Sequence, residues 1–245
     1  MKCLNVEGKS LSDKLIEILS SVSEKIGESS LMLSGGVDSS LLLAIFGDKV
    51  HPYTVSYNHS ADLDEARYVS SFYNMELTEI NVTRDCIIQA AKAIKVIDPD
   101  ASILEISFEI PFYIGCKRTK EKYIITGQGA DEIFYGYSKF RDGREQTNKS
   151  SLEILAGRTL PRELKISDHF GKTPIMPYMS EEIVSFFGNL PPDIHMNRDR
   201  NKLIIREACQ KVGVPERIYT RPKKAAQYGS GIMKVLKESR GVIGI

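Results

Sequence analysis

The chain has no tryptophan, and only four histidines and four cysteines among its 245 residues. Cys3, Cys86, Cys116 and Cys209 lie far apart, with no CxxC pair and no histidine at ligand spacing, which argues against a structural zinc site. Cysteines this sparse read as reduced intracellular thiols rather than a disulfide framework. His51, His59, His169 and His195 show no ligand spacing either and receive no role. Neither sign of charge dominates: 33 Lys+Arg against 32 Asp+Glu leave a formal net charge of +1. No global field therefore draws nucleic acid or an anionic membrane to the protein. No apolar run approaches the ~20 residues of a membrane helix. The opening MKCLNVEGKS lacks the apolar segment of a signal peptide. The expected location is cytoplasmic. Repeats and low-complexity segments are also missing. With 42% hydrophobic and 27% charged residues, the composition excludes a disordered tail, a collagen-like fibre and a coiled coil, and leaves room for a real core.

What is present is an alternation of strand and helix signals. Leu11, Leu15, Ile18, Leu19, Val22 and Ile26 fall at spacings of three and four, with Ser10 placed as N-cap, which predicts a helix over 10–26. Leu31-Met32-Leu33 reads as a buried strand, Ser34-Gly35-Gly36 as a turn and Val37 to Phe46 as a helix. Further strands are expected at 53–57, 76–82 and 122–126, with helices at 62–73, 85–94 and roughly 108–119. Residues 138–150 have almost no apolar content and read as a mobile loop. Helices are expected near 181–188, 200–212 and 231–238. The fold class is α/β: a parallel twisted sheet with helices on both faces, followed by a helical C-terminal extension. The whole chain, 1–245, is read as one domain, with a nucleotide-binding α/β part (1–150) and a mainly helical part (151–245).

Ser34-Gly35-Gly36-Val37-Asp38-Ser39-Ser40 carries the most chemistry. Its glycines let backbone N–H groups approach an anion without an obstructing Cβ. The following helix aims its free amides and dipole at the same point, and Ser34, Ser39 and Ser40 add hydroxyl donors. The lysine of a Walker A loop is missing, and the pattern is not GxGxxG. Asp38 would repel phosphate unless a divalent cation, Mg²⁺ above all, sat between them. The plainer alternative is a glycine turn capping a helix with serines. Thr126-Gly127-Gln128-Gly129-Ala130-Asp131-Glu132 follows a strand in the same way, so Asp131 is placed to meet Asp38 at the carboxyl ends of the strands.

Together, SGGVDSS and TGQGADEIFYGY resemble the synthetase domain of the asparagine synthetase family, within the ATP pyrophosphatase superfamily. Ser107-Phe-Glu-Ile-Pro111-Phe-Tyr113, Pro177-Tyr-Met-Ser180, Lys202-Leu-Ile-Ile-Arg206-Glu207-Ala208 and Arg221-Pro-Lys223-Lys224 extend the resemblance, in order, over nearly the whole chain. The resemblance implies an adenine nucleotide alpha hydrolase-like fold. It also implies an AMP-forming ligase that adenylates a small carboxylate, aspartate by default, and passes the acyl group to an amine, ammonia by default. It further implies ATP and Mg²⁺ as cofactors. On this basis Ser34, Gly35, Gly36, Asp38, Ser39 and Ser40 hold pyrophosphate; Met32, Val55, Thr126 and Gly127 line the nucleoside pocket; and Asp38 and Asp131 bind Mg²⁺. Tyr137 and Gln128 stand near the acyl site, and Lys223 steadies charge on the phosphates and the intermediate. Taken alone, RPKK would read as a solvated basic turn. Lys202 and Arg206, at i and i+4, are expected to share a helix face and are left without a role.

Three departures from the family pattern stand out. No glutaminase domain fits ahead of residue 34, so ammonia is expected free, from a separate glutaminase subunit, or not at all. Gln128 replaces a glutamate that could take a proton from an attacking ammonium; a glutamine can only donate or accept hydrogen bonds. GKTPIMP before the tyrosine at 178 departs from the family's acidic-basic-proline pattern, which bears on the acceptor pocket. The alternatives are another ATP pyrophosphatase, such as a tRNA-modifying enzyme, or a non-catalytic nucleotide-binding module. Expected partners are small molecules and a homodimer mate, with no membrane and no nucleic acid.

Overall fold

Hydroxyl side chains set the starts of the long N-terminal helices. Ser10 accepts from the Asp13 amide to begin α1 (Leu11–Glu24), and Asp13 answers the Ser10 N–H. Ser60 begins α3 (Ala61–Phe72), Thr83 begins α4 (Arg84–Ile97), and Ser102 with Glu105 forms a second capping box at α5 (Ile103–Arg118). Each cap satisfies an amide that the helix cannot satisfy itself. The Ser102 box starts α5 earlier than the expected residue 108, and Pro111 is carried inside the helix. The structure, a computed structural model, describes residues 9–58, 60–221 and 231–243.

Five parallel strands form one sheet: β1 (Ser29–Met32), β2 (Val50–Ser56), β3 (Thr78–Asn81), β4 (Tyr123–Ile125) and β5 (Thr173–Ile175), in the order β3-β2-β1-β4-β5. β1 is central, with Ser29 opposite Val50 on one side and Tyr123 on the other. Side chains alternate across it. Leu31 and Ile125 join the core beneath α1 and α2 (Val37–Phe46), whereas Ile124 joins Tyr53 and Val55 in the core under α4 and α5. Helices therefore cover both faces, as the fold class requires.

Two readings need correction. β5 was not anticipated: it is three residues long with Pro174 at its centre, which weakens any strand signal. It lies at the sheet edge, where a missing N–H is tolerated. Residues 138–150 are not simply an open loop. They contain α7 (Ser138–Arg141), and α8 (Lys149–Ile154) begins just before their end. Phe140 is buried against Tyr135, and the buried Asn148 amide donates to the Glu132 carbonyl (3.0 Å).

The chain beyond residue 150 is built into the same body. A π-helical turn at Leu155–Thr159 leads into α9 (Leu160–His169). The buried Arg162 guanidinium there meets Asp98 (2.8 Å), Glu105 (2.8 Å) and Glu109 (3.1 Å) at the end of α4 and on α5. Burial pushes the Glu109 carboxyl up to about 7, against the pull of Arg162. α10 (Glu181–Phe187), α11 (Pro192–His195), α12 (Leu203–Lys211) and α13 (Glu216–Thr220) follow, then two short helices, Ile232–Glu238 and Arg240–Ile243.

Candidate active site

β1 hands the chain to α2 through a turn that demands glycine for two reasons. Gly35 has φ +67°, and a Cβ there would lie 2.5 Å from the Glu65 backbone of α3. Gly36 is the N-cap and offers no side chain to the helix amides. The first amides of α2 have no intrahelical acceptor, so they remain available to an anion together with the helix dipole. Ser34 and Ser39 brace the turn from within: their hydroxyls are 3.2 Å apart, and the Ser34 N–H donates to Ser39 Oγ (3.2 Å). Ser40 is fully buried and its amide is bonded to the Gly36 carbonyl (3.0 Å), which sets it apart from the other residues of the turn.

The second turn leaves β4, the neighbour of β1. The Thr126 N–H donates to the Ile175 carbonyl (3.0 Å), and the Gln128 N–H donates to Thr126 Oγ1 (3.4 Å). Gly129, at φ +89°, starts α6 (Ala130–Ile133), with Met179 packed where its Cβ would stand. A Cβ on Gly127 would lie 3.3 Å from that of Asp38, so the two turns touch. Sheet order reverses between β1 and β4, and a crevice at the carboxyl ends of such strands is the usual ligand position in open α/β sheets. Met32 at the end of β1, Val55 near the end of β2, and Thr126 and Gly127 after β4 line the same edge.

Across this crevice Asp38 and Asp131 converge on one cation that belongs to the protein. Lys202 Nζ lies 2.5 Å from Asp38 Oδ2 and 2.6 Å from Asp131 Oδ1. The lysine side chain is 1% exposed and the carboxylates 22% and 26%. Burial alone would depress the lysine; Asp131 and Asp38 outweigh it and hold the ammonium well above its usual range. Gly136 makes the approach possible, because a Cβ there would overlap Asp131 Oδ1 and Lys202 Cε. The Tyr178 hydroxyl donates to the Asp38 carbonyl (3.0 Å) and fixes its backbone.

Lys202 corrects the sequence reading. It does not share a helix face with Arg206. It precedes α12 as its N-cap in the left-handed region (φ 57°, ψ 41°), so the i, i+4 rule does not apply. Its signal was only its place in the KLIIR motif.

The donor set suits a hard divalent ion in part. Asp38 Oδ1 is buried with no hydrogen-bond partner, and two carboxylates facing one point are oxygen ligands of the kind Mg²⁺ takes. No group of three or more His, Cys, Asp or Glu side chains able to hold a metal occurs among the described residues. Phosphate oxygens would have to complete the coordination. The fit is thus to a metal arriving with a polyphosphate.

Tyr137 donates to Glu132 Oε1 at 2.5 Å. Burial, and then the charge of Asp131, raises the Glu132 carboxyl. Burial also pushes the Tyr137 phenol far above its ordinary range, so it remains a proton donor. Arg206 is a structural anchor, not a group on the crevice. Its Nε donates to the Asn201 carbonyl (2.8 Å), and its Nη1 donates to the carbonyls of Tyr219 (2.5 Å) and Arg221 (3.0 Å). Arg221 pairs with Glu65 (2.7 Å), beside Gly35. Lys223 lies outside the described residues; the chain that leads to it is anchored against the phosphate turn.

The asparagine synthase family model matches residues 22–167 and 151–242. Over 262 aligned positions the chain is 28% identical to a putative glutamine-hydrolyzing asparagine synthetase 1 of Methanocaldococcus jannaschii, covering 87% of this chain and 47% of that protein. It is 27% identical to asparagine synthetase domain-containing protein 1 of Mus musculus, covering 73% and 33%. The chain thus spans half or less of the length of these relatives. Among solved structures, NMN synthetase from Francisella tularensis aligns with a TM-score of 0.45 at 12% identity, covering 94% of this chain and 93% of that one. No helix among the described residues is long and apolar enough to cross a membrane. With a family model matched across most of its length, the chain belongs to the asparagine synthase family.

Proposed function

We propose that this chain is an ATP pyrophosphatase-type synthetase that adenylates a small carboxylate and transfers the acyl group to an amine. Aspartate and ammonia are the default substrates. The observation that carries this reading is the convergence of Asp38 and Asp131 beside the open amide end of α2. A site that only held a nucleotide would have little use for two carboxylates facing its phosphates.

The α2 amides and the Gly35-Gly36 backbone grip the polyphosphate, and Met32, Val55, Thr126 and Gly127 seat the nucleoside. The substrate carboxylate oxygen bonds to the α-phosphorus as the bond to the bridging oxygen breaks, and pyrophosphate leaves with that electron pair. The amine then attacks the acyl carbon, the bond from that carbon to the phosphate oxygen breaks, and AMP departs with its electron pair, its phosphate taking up the proton that the amine loses. Asp38 and Asp131 would hold Mg²⁺, which when bound supplies charge neutralisation at the departing pyrophosphate. Lys223 is assigned to the charge developing on the phosphates. Tyr137, kept protonated, orients the acyl group, while Gln128 provides hydrogen bonds but takes no proton.

The test is pyrophosphate exchange into ATP across a panel of amino acids and other carboxylates. Exchange with aspartate or another small carboxylate supports the reading. Exchange that requires tRNA favours the tRNA-modifying alternative, and nucleotide binding without any exchange leaves a binding module.

A further inference from the structure

Lys202 is the most heavily invested side chain of the crevice, and the reaction above gives it no task. It is buried, its backbone is held in the left-handed region that non-glycine residues seldom occupy, and its neighbours are built around it. Gly136 leaves room for its Cε, the Asn201 amide donates to the Gly136 carbonyl, and Arg206 holds the Asn201 carbonyl (2.8 Å). The ammonium contacts one oxygen of each carboxylate assigned to the metal. A divalent ion bound between the same carboxylates would sit within a few ångströms of a fixed positive charge, where repulsion is strong in a partly dry site. Without the ammonium, two carboxylates converging on one point would repel each other instead.

We propose that Lys202 is an internal counter-ion that occupies the cation position of the Asp38–Asp131 pair before nucleotide binds, and that it excludes free divalent metal. This rests on the reading of those carboxylates as the metal site. With the ammonium in place the trio carries a net charge of −1. A bare Mg²⁺ would have to displace the ammonium from both carboxylates, whereas Mg²⁺ entering with a polyphosphate brings oxygens that can accept the displaced ammonium. The metal is therefore admitted as the nucleotide complex, and the carboxylates are held in register until it arrives. Lys202 is a positioning residue whose effect is on the order of binding.

The probe is Mn²⁺ alone, titrated into the full chain without nucleotide and followed by the paramagnetic resonance signal of the free ion. Wild type is expected to bind it only weakly. Lys202→Met, similar in length and uncharged, is expected to bind it at least about tenfold more tightly, and Lys202→Met combined with Asp38→Asn should lose that gain. Folded Lys202→Met with unchanged Mn²⁺ affinity would overturn the proposal. So would sub-millimolar Mn²⁺ binding by nucleotide-free wild type at a site that Asp38→Asn removes, a result that needs no lysine variant to fold. None of these titrations depends on turnover. An absence of pyrophosphate exchange counts against the proposed function, and an unaltered Mn²⁺ affinity counts against the role of Lys202.

Discussion

Arg206 donates from one guanidinium to the carbonyl of Arg221 (3.0 Å) and, through Nε, to the carbonyl of Asn201, the residue before Lys202. One side chain thus ties the lysine of the crevice to the chain that leads to Lys223. Burial lowers the basicity of Arg206, yet it remains charged, and each carbonyl accepts from a cation. Arg206→Lys keeps the charge but loses the fork. We expect it to lower stability by about 1–3 kcal/mol in urea unfolding and to reduce pyrophosphate exchange by about tenfold or more, chiefly in kcat, because the carbonyl of Asn201, beside Lys202, and that of Arg221 lose their shared anchor. An unchanged kcat would show that this anchor does not reach the chemistry.

Asp38→Asn should abolish pyrophosphate exchange while leaving the far-ultraviolet circular dichroism spectrum native. The substitution also leaves Lys202 buried with one carboxylate instead of two. A loss of about 2–4 kcal/mol in stability should accompany it, and part of that loss should be recovered by adding Lys202→Met. Full activity in Asp38→Asn would contradict the metal role.

In the proposed reaction Gln128 takes the place of a glutamate that could accept the proton of the attacking amine. Gln128→Glu should raise ammonia-dependent amide formation relative to wild type without raising the exchange rate, because adenylation does not require that proton. The comparison is product formation against exchange at fixed ATP. An equal amide yield from both proteins would mean that the acceptor is another nucleophile.

His195 is fully buried against Phe134 and Tyr135, its Nε2 3.1 Å from the Phe187 carbonyl. Burial lowers its pKa from 6.5 to about 4. The unfolded chain therefore takes up a proton between these values that the folded chain refuses, so this stability is present above pH 6.5 and is lost as pH falls towards 4. The contribution is at most about 3 kcal/mol. His195→Gln should flatten the dependence of unfolding free energy on pH across that window, measured by urea titration. A slope equal to wild type would show that His195 does not set the acid sensitivity of that window; Glu105, whose carboxyl is held at about 2 because Ser102 and Arg162 together outweigh burial, adds its own loss only below pH 4.5.

The sheet was legible because its signals were local. The run at 31–33, the turn at 34–36 and the helix from Val37 need only neighbours in sequence, and the structure places β1 and α2 there. Asp38 and Asp131 could be brought together on paper because both follow strands of a parallel sheet. Lys202 could not. Its role depends on a left-handed backbone before α12, on the missing Cβ of Gly136 and on a partner 164 residues away, none of which leaves a periodic trace. β5 was missed for a related reason: three residues with a central proline form a strand only because β4 and its neighbours offer an edge. The reading of 138–150 as a loop holds for the largely exposed, irregular stretch 142–147; what its polarity hides is the burial of Phe140 and of Asn148, whose amide donates to the Glu132 carbonyl.

β5, the three-carboxylate grip of Arg162 and the ammonium of Lys202 all come from beyond residue 150. The early part of the chain writes the anion-binding turn, but it neither finishes its own sheet nor balances its own acids. A polypeptide halted midway would lack the ammonium that joins Asp38 to Asp131 and would leave an open flank on β4. During synthesis the crevice thus gains its definitive form only when the last third of the molecule folds back over the first.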